Sequence, residues 1–461
     1  MFKKTVSRRN FLKLSGSVAA FAAFQAQFPA LARNAALRQD VITVSFAGWG
    51  QPPEQEGVLA AIEVFEQENP GIRVEWRHTP DNEFTRVFLS DVAAGTPADT
   101  SFIMSDTYET FRSEGLLLDI TDRIMNDPLL GQENYFLPQE AARCADDNGR
   151  WHGIGSTWVA PHLYYNAALL EEAGITPPGF QDDEIWDWDT FVENAKQLTL
   201  DSNGRHPDDA GFDPDDIVQW GVEYPLFPNP TYLTAAVFSN GGQFINENGS
   251  GLDSPEAMEA LQNLADLIYV HHVAPRSAAM SSLGMANTQM LDTGRLAMVV
   301  EGSWALSWIN SSALSIPLGV GALPKMSQAA TYMQAHFHSV LNATDNPDQA
   351  WEWVRFLATP FYQTQFMKIG LWLPSLTELT TEEAMDDWFT EGIHPENYRE
   401  FLTDYLPKYG VTTRIPNGYV EANLNYITPA YEAIANGTPA DEVLPDAVQQ
   451  ANEIIAAANE M

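Results

Sequence analysis

Apolar residues recur at two different spacings in the first hundred residues, and the two spacings alternate. The β-branched run 41–46 and the alternating positions of 72–76 predict strands, and the apolar run 101–104 predicts a third. Between these strands, apolar residues at helical spacing in 59–66 and 84–92 predict two helices. This order of elements is typical of a parallel, doubly wound α/β sheet, in which ligands bind outside the carboxyl ends of the strands.

The rest of the chain shows a less regular order of elements. An apolar, aromatic segment at 153–165 is predicted to run between two lobes. The other predicted elements are helices at 188–198, 255–270, 347–357 and 445–458, and strands at 297–300 and 318–322. Neither an internal repeat nor a Gly/Ser linker divides the sequence, so two closely connected lobes fit it better than separate domains.

The N-terminal residues 1–32 have the pattern of an export signal. Lys3 and Lys4 precede S-R-R-x-F-L-K at 7–13, then an alanine-rich apolar stretch, then the small-residue cleavage pattern P-A-L-A at 29–32. The paired arginines are typical of a twin-arginine signal peptide. Because no cysteine lies near the cleavage region, we expect an exported, soluble protein of the periplasm that is not lipid-anchored.

Charge and cysteine content exclude several classes of function. The 461 residues contain 62 acids and 24 bases, for a net charge of −38, which argues against nucleic acid as a partner. The single cysteine, Cys144, excludes an intramolecular disulfide and a multi-thiolate metal site. The acid-rich loop 201–216 lacks the EF-hand pattern, and His336 with His338 lacks a third ligand at metal spacing. We therefore predict no bound metal, and the absence of G-x-x-x-x-G-K-[ST] and G-x-G-x-x-G motifs predicts no nucleotide cofactor.

Several blocks of sequence resemble the family 1 extracellular solute-binding proteins, the maltose-binding-protein-like sugar receptors of bacterial ABC importers. The blocks occur in the family's order and span nearly the whole chain after the signal. They are F-x-x-E-N-P-G-I-x-V at 65–74, G-L-L-L-D-I-T at 115–121, L-Y-Y-N at 163–166, E-A-G-I at 172–175, W-D-T-F at 188–191, G-G-x-F-I at 241–245, D-S-P-E-A at 253–257, G-R-L-A-M at 294–298, G-S-W-A-L at 302–306 and N-P-x-x-A-W-x-x-V-x-F-L at 346–357.

The resemblance implies a two-lobed periplasmic-binding-protein fold, type II-like, with a mostly parallel sheet flanked by helices in each lobe and crossing hinge segments between the lobes. It implies an N-terminal lobe of 40–155 plus 318–370 and a C-terminal lobe of 156–317 plus 371–461. It also implies a monomer that closes on a ligand, catalyses no reaction and delivers the ligand to an ABC-transporter permease in the membrane.

A sugar site needs flat aromatic platforms for the C–H faces of the ring and directional polar groups for its hydroxyls. Tryptophans at strand exits or glycine-rich turns are the candidate platforms, and polar residues on loops that face the predicted cleft are the candidate hydrogen-bonding groups. Trp304 matches the family's G-x-W turn, Gly302 is expected to let the backbone approach the ligand, and Trp372 lies in a turn similar to the family's G-x-x-P. The predicted ligand-binding residues are Trp49, Gln51, Asp81, Asp106, Trp158, Tyr232, Glu301, Gly302, Trp304 and Trp372.

Two alternatives to a sugar receptor stay open at this point. An acidic cleft with aromatic walls also suits a cationic or other non-sugar small solute. An exported glycoside hydrolase would need two carboxylates about 5–10 Å apart across the glycosidic bond, and 62 acids always offer pairs. A phosphorylated ligand is less favoured because few bases are available to hold it.

Overall fold

The computed structural model describes residues 41–460 except 147, 156, 227–229, 277–278, 281–282 and 312–313, and gives the backbone alone at 81, 82, 230 and 311. The predicted export signal at 1–32 lies outside the described residues. Within these limits the chain forms an α/β protein built on two sheets of four and five strands.

The first sheet contains the predicted strand-helix-strand-helix-strand unit. Its strands are β1 (Ile42–Gly48), β2 (Ile72–His78), β3 (Thr100–Ile103) and β12 (Phe337–Val340), in the order β12-β3-β1-β2. β1 pairs in parallel with both β2 and β3, whereas β12 joins the edge antiparallel to β3. Because β2 and β3 lie on opposite sides of β1, the chain reverses its direction across the sheet there, which opens a crevice at the carboxyl ends of β1 and β3.

The second sheet is mixed rather than mostly parallel. Its strands are β4 (Pro161–Asn166), β5 (Leu200–Asp201), β6 (Ile217–Glu223), β9 (Leu296–Gly302) and β10 (Leu318–Gly321), in the order β10-β4-β9-β6-β5. Only β6 with β9 is a parallel pair. β4 enters this sheet directly from the crossing segment and pairs antiparallel to β9, with Pro161 opposite Gly302.

Helices cover both sheets. They are Pro52–Glu68, Asp81–Ala93, Tyr108–Ser113, Thr121–Met125, Pro138–Cys144, Ala167–Glu172, Trp188–Gln197, Pro230–Ser239, Pro255–Tyr269, Asn287–Asp292, Ala305–Ser311, Pro347–Leu357, Pro360–Met367, Glu382–Trp388 and Ala440–Glu460, with irregular helical segments at 398–409 and 419–435. A short 3₁₀ helix occupies Thr377–Thr380, and two two-stranded pairs join β7 (Ile245–Asn246) to β8 (Gly249–Ser250) and β11 (Thr331–Tyr332) to β13 (Gly410–Val411). Among the described residues, the structure contains no helix long and apolar enough to cross a membrane.

The segment predicted to cross between the lobes does so. Ile154 bridges to His338 of the first sheet, Val159 bridges to Gln334, and from Pro161 onward the chain is part of the second sheet. Opposite faces of β4 then pack into two different apolar cores, with Tyr164 in one and Leu163 and Tyr165 in the other.

Two predicted lobe boundaries are wrong, at 371 and at 318. Trp372 stacks on Phe366 and Leu376 bridges to Phe136, so the chain does not leave the first lobe at 371. β10 pairs with β4, with Leu318 opposite Asn166, so 318–321 belongs to the second sheet and not to the first lobe. The return to the first sheet comes later, at β12. The hydropathy of β10 and of β12 does not show which lobe each strand belongs to, because an apolar strand can be buried equally well in either sheet. The two strands differ only in the strand with which each one pairs.

Candidate functional site

A cavity of about 510 Å³ lies between the two sheets. This volume is within the range of roughly 300–1,000 Å³ that ligand pockets span. Its walls combine loops at the carboxyl ends of β1, β3 and β9 with residues of the helix Pro230–Ser239 and of 332–336. Seven predicted ligand-binding residues line it: Trp49, Gln51, Asp106, Tyr232, Glu301, Trp304 and Trp372.

The first-lobe wall is built at the switch point of the first sheet. Trp49 and Gln51 follow β1, and Asp106 follows β3. The Trp49 indole is held edge-on against Phe84, at a ring-centroid distance of 4.8 Å, and against His336, at 5.2 Å. Its orientation is therefore fixed by aromatic packing before any ligand binds.

The second-lobe wall is built where β9 ends. The Tyr232 hydroxyl donates to Glu301 Oε1, and the backbone N–H of Gly302 donates to the same oxygen at 2.9 Å. Trp304 follows two residues later, with its ring centroid 6.3 Å from that of Tyr232. An aromatic platform and an oriented carboxylate thus occur side by side, the pairing that a pyranose ring with its hydroxyls requires.

Gln334 connects the two walls through hydrogen bonds. Its Oε1 accepts from the Ser105 hydroxyl of the first lobe at 3.0 Å, and its Nε2 donates to the Thr231 hydroxyl of the second lobe at 3.2 Å. Its backbone exchanges hydrogen bonds of 2.9 and 3.1 Å with Val159 of the crossing segment. A single side chain therefore links both lobes at the base of the cavity.

The third tryptophan platform is anchored in the first-lobe core. Trp372 stacks on Phe366 with centroids 3.9 Å apart and 26° between the ring planes, and it contacts His336 at 5.4 Å. Only 5% of its surface is exposed, so little of the indole is accessible from the cavity.

Burial shapes the electrostatics of this site. Asp106 lines the cavity, and its residue surface is exposed there. Loss of hydration around its carboxyl group raises its pKa, and hydrogen bonds from its own backbone N–H and from that of Thr107 oppose this rise. Loss of hydration also raises the pKa of Glu301, against the hydrogen bonds from Tyr232 and Gly302. Behind Glu301, burial and the nearby Glu301 charge raise the pKa of Glu223 to about 7, and Glu223 Oε2 has no hydrogen-bond partner in the described structure.

Glu223 makes folding stability depend on pH in a specific direction. Its folded-state pKa of about 7 lies above the ordinary value of 4.5, so between these values the folded state binds more protons than the unfolded state. The contribution of Glu223 is therefore most favourable at low pH and is lost as pH rises through about 7, by an amount on the order of 3 kcal/mol. We expect Glu223→Gln to stabilise the protein relative to wild type at pH 8 and not at pH 5, measured by urea unfolding. A matched change at an exposed acid, Glu391→Gln, should leave the pH profile unchanged. A stability difference between Glu223→Gln and wild type that is the same at both pH values would contradict this prediction.

Two predicted site residues, Trp158 and Gly302, are not among the described residues that line the cavity. Trp158 is fully buried and packs against Arg143, whose guanidinium lies 4.6 Å from the ring centroid, so its prediction as a ligand platform is wrong; its neighbour Val159 lines the cavity instead. Gly302 serves its own neighbour, since a Cβ there would lie 2.2 Å from the Trp304 ring; the glycine makes room for that indole and not for a ligand. Asp81 begins the helix after β2, its side chain is outside the described part, and its role stays a prediction.

Sequence reasoning missed several lining residues. His336, which the sequence presents only as part of an incomplete metal-binding pattern, lines the cavity. Burial together with the nearby Arg143 charge lowers its pKa to about 3, which keeps the imidazole neutral. Gln334, Thr234 and Tyr419 were not singled out, although all three line the same cavity. No spacing or motif marks these residues, because they come from segments far apart in the sequence.

The acid-rich loop 201–216 is held together by its own hydrogen bonds. The Asp201 carboxylate accepts from the backbone N–H groups of Asn203, Arg205 and Asp213 and from the Arg205 side chain at 2.9 Å. Its oxygens are therefore used to close the loop. In the described ranges, no group of three or more His, Cys, Asp or Glu side chains is arranged to hold a metal ion.

Comparison with known proteins gives one family and a consistent set of relatives. A family model described as bacterial extracellular solute-binding protein matches residues 49–364. A protein of Brucella abortus (strain 2308) that carries only a provisional designation as a binding protein is 25% identical over 397 residues, which cover 85% of this chain and 88% of that protein. The lactose-binding protein of Rhizobium radiobacter is 26% identical over 318 residues, covering 66% of this chain and 68% of the relative.

The fold is also found among known structures. The ABC substrate-binding protein Lmo0181 from Listeria monocytogenes, determined in complex with cycloalternan, superposes with a TM-score of 0.76. The alignment covers 90% of this chain and all of that chain at 20% identity. At this identity the similarity establishes the fold, and it agrees with the two-lobed architecture described above.

Proposed function

This chain belongs to the bacterial extracellular solute-binding protein family, and on that premise we propose that it captures a sugar or oligosaccharide in the cavity between its lobes. The observation that carries the proposal is the set of tryptophans on both walls: Trp49 and Trp372 from the first lobe and Trp304 from the second, beside oriented polar groups. A ring held between such platforms would be sandwiched only when both walls approach it. Sugars named for the Rhizobium and Listeria relatives support the same ligand class.

The proposed action is capture and release without chemistry. A ligand that contacts both walls has a higher affinity for the closed arrangement than for the open one, so binding shifts the population toward closure. We propose that the exported protein works in the periplasm, closes on its ligand and delivers it to the permease of an ABC importer. The family consists of binding proteins, and this supports transport rather than turnover.

A thermal-shift screen of the purified protein tests the proposal. The panel contains neutral mono- and oligosaccharides, simple amines and glycerol phosphate. A ligand at a hundred times its Kd adds about 2.7 kcal/mol, so a true ligand should raise the Tm by roughly 3–5 °C. The sugar should be recovered unchanged afterwards.

The other outcomes of the screen would indicate a different function or a different ligand. Consumption of the sugar would contradict the receptor function and indicate a glycoside hydrolase. A shift with an amine and with no sugar would indicate a cationic solute as the ligand. Absence of a shift with any saccharide at millimolar concentration would count against a sugar as the ligand.

A further inference from the structure

The charged side chains that line the cavity are all of one sign. Glu54 lies in the first turn of the helix after β1, Asp106 follows β3, and Glu301 lies near the end of β9. No lysine or arginine is present among the described residues that line the cavity. His336, the one histidine among the described lining residues, is uncharged because burial lowers its pKa to about 3.

A buried cation, Arg143, lies in the core and is not among the described residues that line the cavity. The Arg143 guanidinium lies between the rings of Trp158 and Phe337, at 4.6 and 4.2 Å from their centroids. It donates to the Glu140 carboxylate at 2.8 and 3.0 Å, and only 3% of its side chain is exposed. Its charge is therefore paired with Glu140, and the buried guanidinium is not available for contact with a ligand in the cavity.

A further carboxyl group lies behind Glu301. Glu223 ends the parallel neighbour of β9, and its buried Oε2 accepts no hydrogen bond in the described structure. The same wall offers neutral polar atoms: Thr234, which is fully buried, has a hydroxyl without a hydrogen-bond partner. On the opposite wall, His336 Nε2 is also unpartnered, and this side chain is 8% exposed. Unpartnered neutral donors and acceptors suit hydroxyl groups.

These observations set the charge that a ligand can carry. An acidic group on a bound sugar would be placed near carboxylates, in surroundings of reduced dielectric, without any positive side chain to compensate it. A protonated amino group would instead be attracted by the carboxylates and by the faces of the tryptophans. The acidic surface of the whole chain acts in the same direction during the approach of the ligand.

We infer that this cavity selects saccharides by charge, accepting neutral and amino sugars and excluding uronic acids and phosphorylated sugars. The inference rests on the proposed function and adds to it the chemical class of the sugar. It assigns Asp106 and Glu301, on opposite walls, as residues that determine this specificity.

Matched sets of saccharides test the inference by isothermal titration calorimetry. Each set contains a mono-, di- or trisaccharide of glucose, galactose or mannose, its uronic-acid counterpart and its 2-amino-2-deoxy counterpart. For the set whose neutral member binds most tightly, we expect the acidic counterpart to bind at least about tenfold more weakly. The amino counterpart should bind within about threefold of the neutral sugar, or more tightly.

The outcomes separate the inference from the proposed function. An acidic sugar that binds as tightly as its neutral counterpart, or a set in which only the acidic member binds, would overturn the inference and leave a sugar receptor in place. Failure of every member of every set to bind would overturn both.

Variants show whether the cavity carboxylates cause the selection. Glu301→Gln and Asp106→Asn should each reduce the ratio of acidic to neutral Kd severalfold, because each removes one negative charge from the wall. Glu247→Gln removes one exposed negative charge outside the cavity and should leave the ratio unchanged. Equal ratios in wild type and both cavity variants would contradict the assigned roles of Asp106 and Glu301. Because the readout is a ratio within one protein, partial loss of stability in a variant does not affect the conclusion.

Discussion

Replacing Trp304 by alanine should weaken binding of the saccharide ligand about a hundredfold, equivalent to about 2–4 kcal/mol, because tryptophans at the centre of a site contribute most of its binding energy. Trp304 is the only predicted platform on the second-lobe wall that lines the cavity, so without it a bound ring would lose one of its two faces. The side chain is half-buried, so the free energy of unfolding should fall much less than it does for a core tryptophan.

Titration calorimetry of Trp304→Ala, with urea unfolding of the same sample, measures both effects. Trp188→Ala is the matched control, since Trp188 is a half-buried tryptophan of the same lobe that lies outside the cavity. Gly302→Ala should reproduce the loss of affinity, because the new Cβ would occupy the place of the Trp304 ring. Unchanged affinity in both Trp304→Ala and Gly302→Ala would show that this indole is not a platform.

Replacing Glu140 by alanine should lower the free energy of unfolding by about 3–5 kcal/mol, because it leaves the Arg143 guanidinium buried without a counter-charge. Glu140 is fully buried, and its Oε1 also accepts from the backbone N–H of Gly155 at 2.8 Å and from the Cys144 thiol at 2.9 Å. One carboxylate thus joins the helix Pro138–Cys144 to the crossing segment. Its loss should loosen the segment on which Val159 and Gln334 depend.

Urea unfolding at pH 7 measures this effect, and a second ion pair supplies the control. Glu83 and Arg86 have the same i,i+3 spacing as Glu140 and Arg143 and lie 3.0 Å apart, but their side chains are mostly exposed. Glu83→Ala should therefore cost no more than about 1 kcal/mol. The double variant Glu140→Leu/Arg143→Met should recover most of the stability that Glu140→Ala loses. Equal costs for Glu140→Ala and Glu83→Ala would contradict the central role of the buried pair.

The periodic parts of the fold could be predicted from the sequence because their burial repeats with the backbone. The helix Pro347–Leu357 has the predicted bounds, and the strands and helices between 42 and 103 occur in the predicted order, although the first helix begins at Pro52, seven residues before its predicted start. Each of these elements presents one buried stripe or one buried run, and the residue pattern records that burial directly. The pairing of 318–321 with β4 could not be predicted, because the apolar residues of a strand show that it is buried but do not show which strand it pairs with.

Some residues of the candidate site could be predicted from the sequence and others could not. Tryptophans next to a strand exit or a glycine could be predicted as cavity residues, and Trp49, Trp304 and Trp372 line the cavity. Trp158 also lies near glycines, Gly153 and Gly155, but its side chain faces the core, because the crossing segment turns it toward Arg143. In an irregular segment the direction of the side chains does not repeat at a fixed spacing, so it cannot be predicted from the pattern of apolar residues.

The sequence by itself determined the family, the alternation of strands and helices, and the acidic, base-poor character that the cavity shares with the whole chain. Tertiary structure alone decided which side chains meet in the cavity, how Gln334 links Ser105 to Thr231, and that Arg143 is neutralised in the core instead of facing the ligand. The physical reason is the distance along the chain over which the relevant interactions act. Periodicity and composition arise from interactions within one element, whereas the site is formed by contacts between residues that lie more than a hundred positions apart and whose geometry is set only when both lobes pack together.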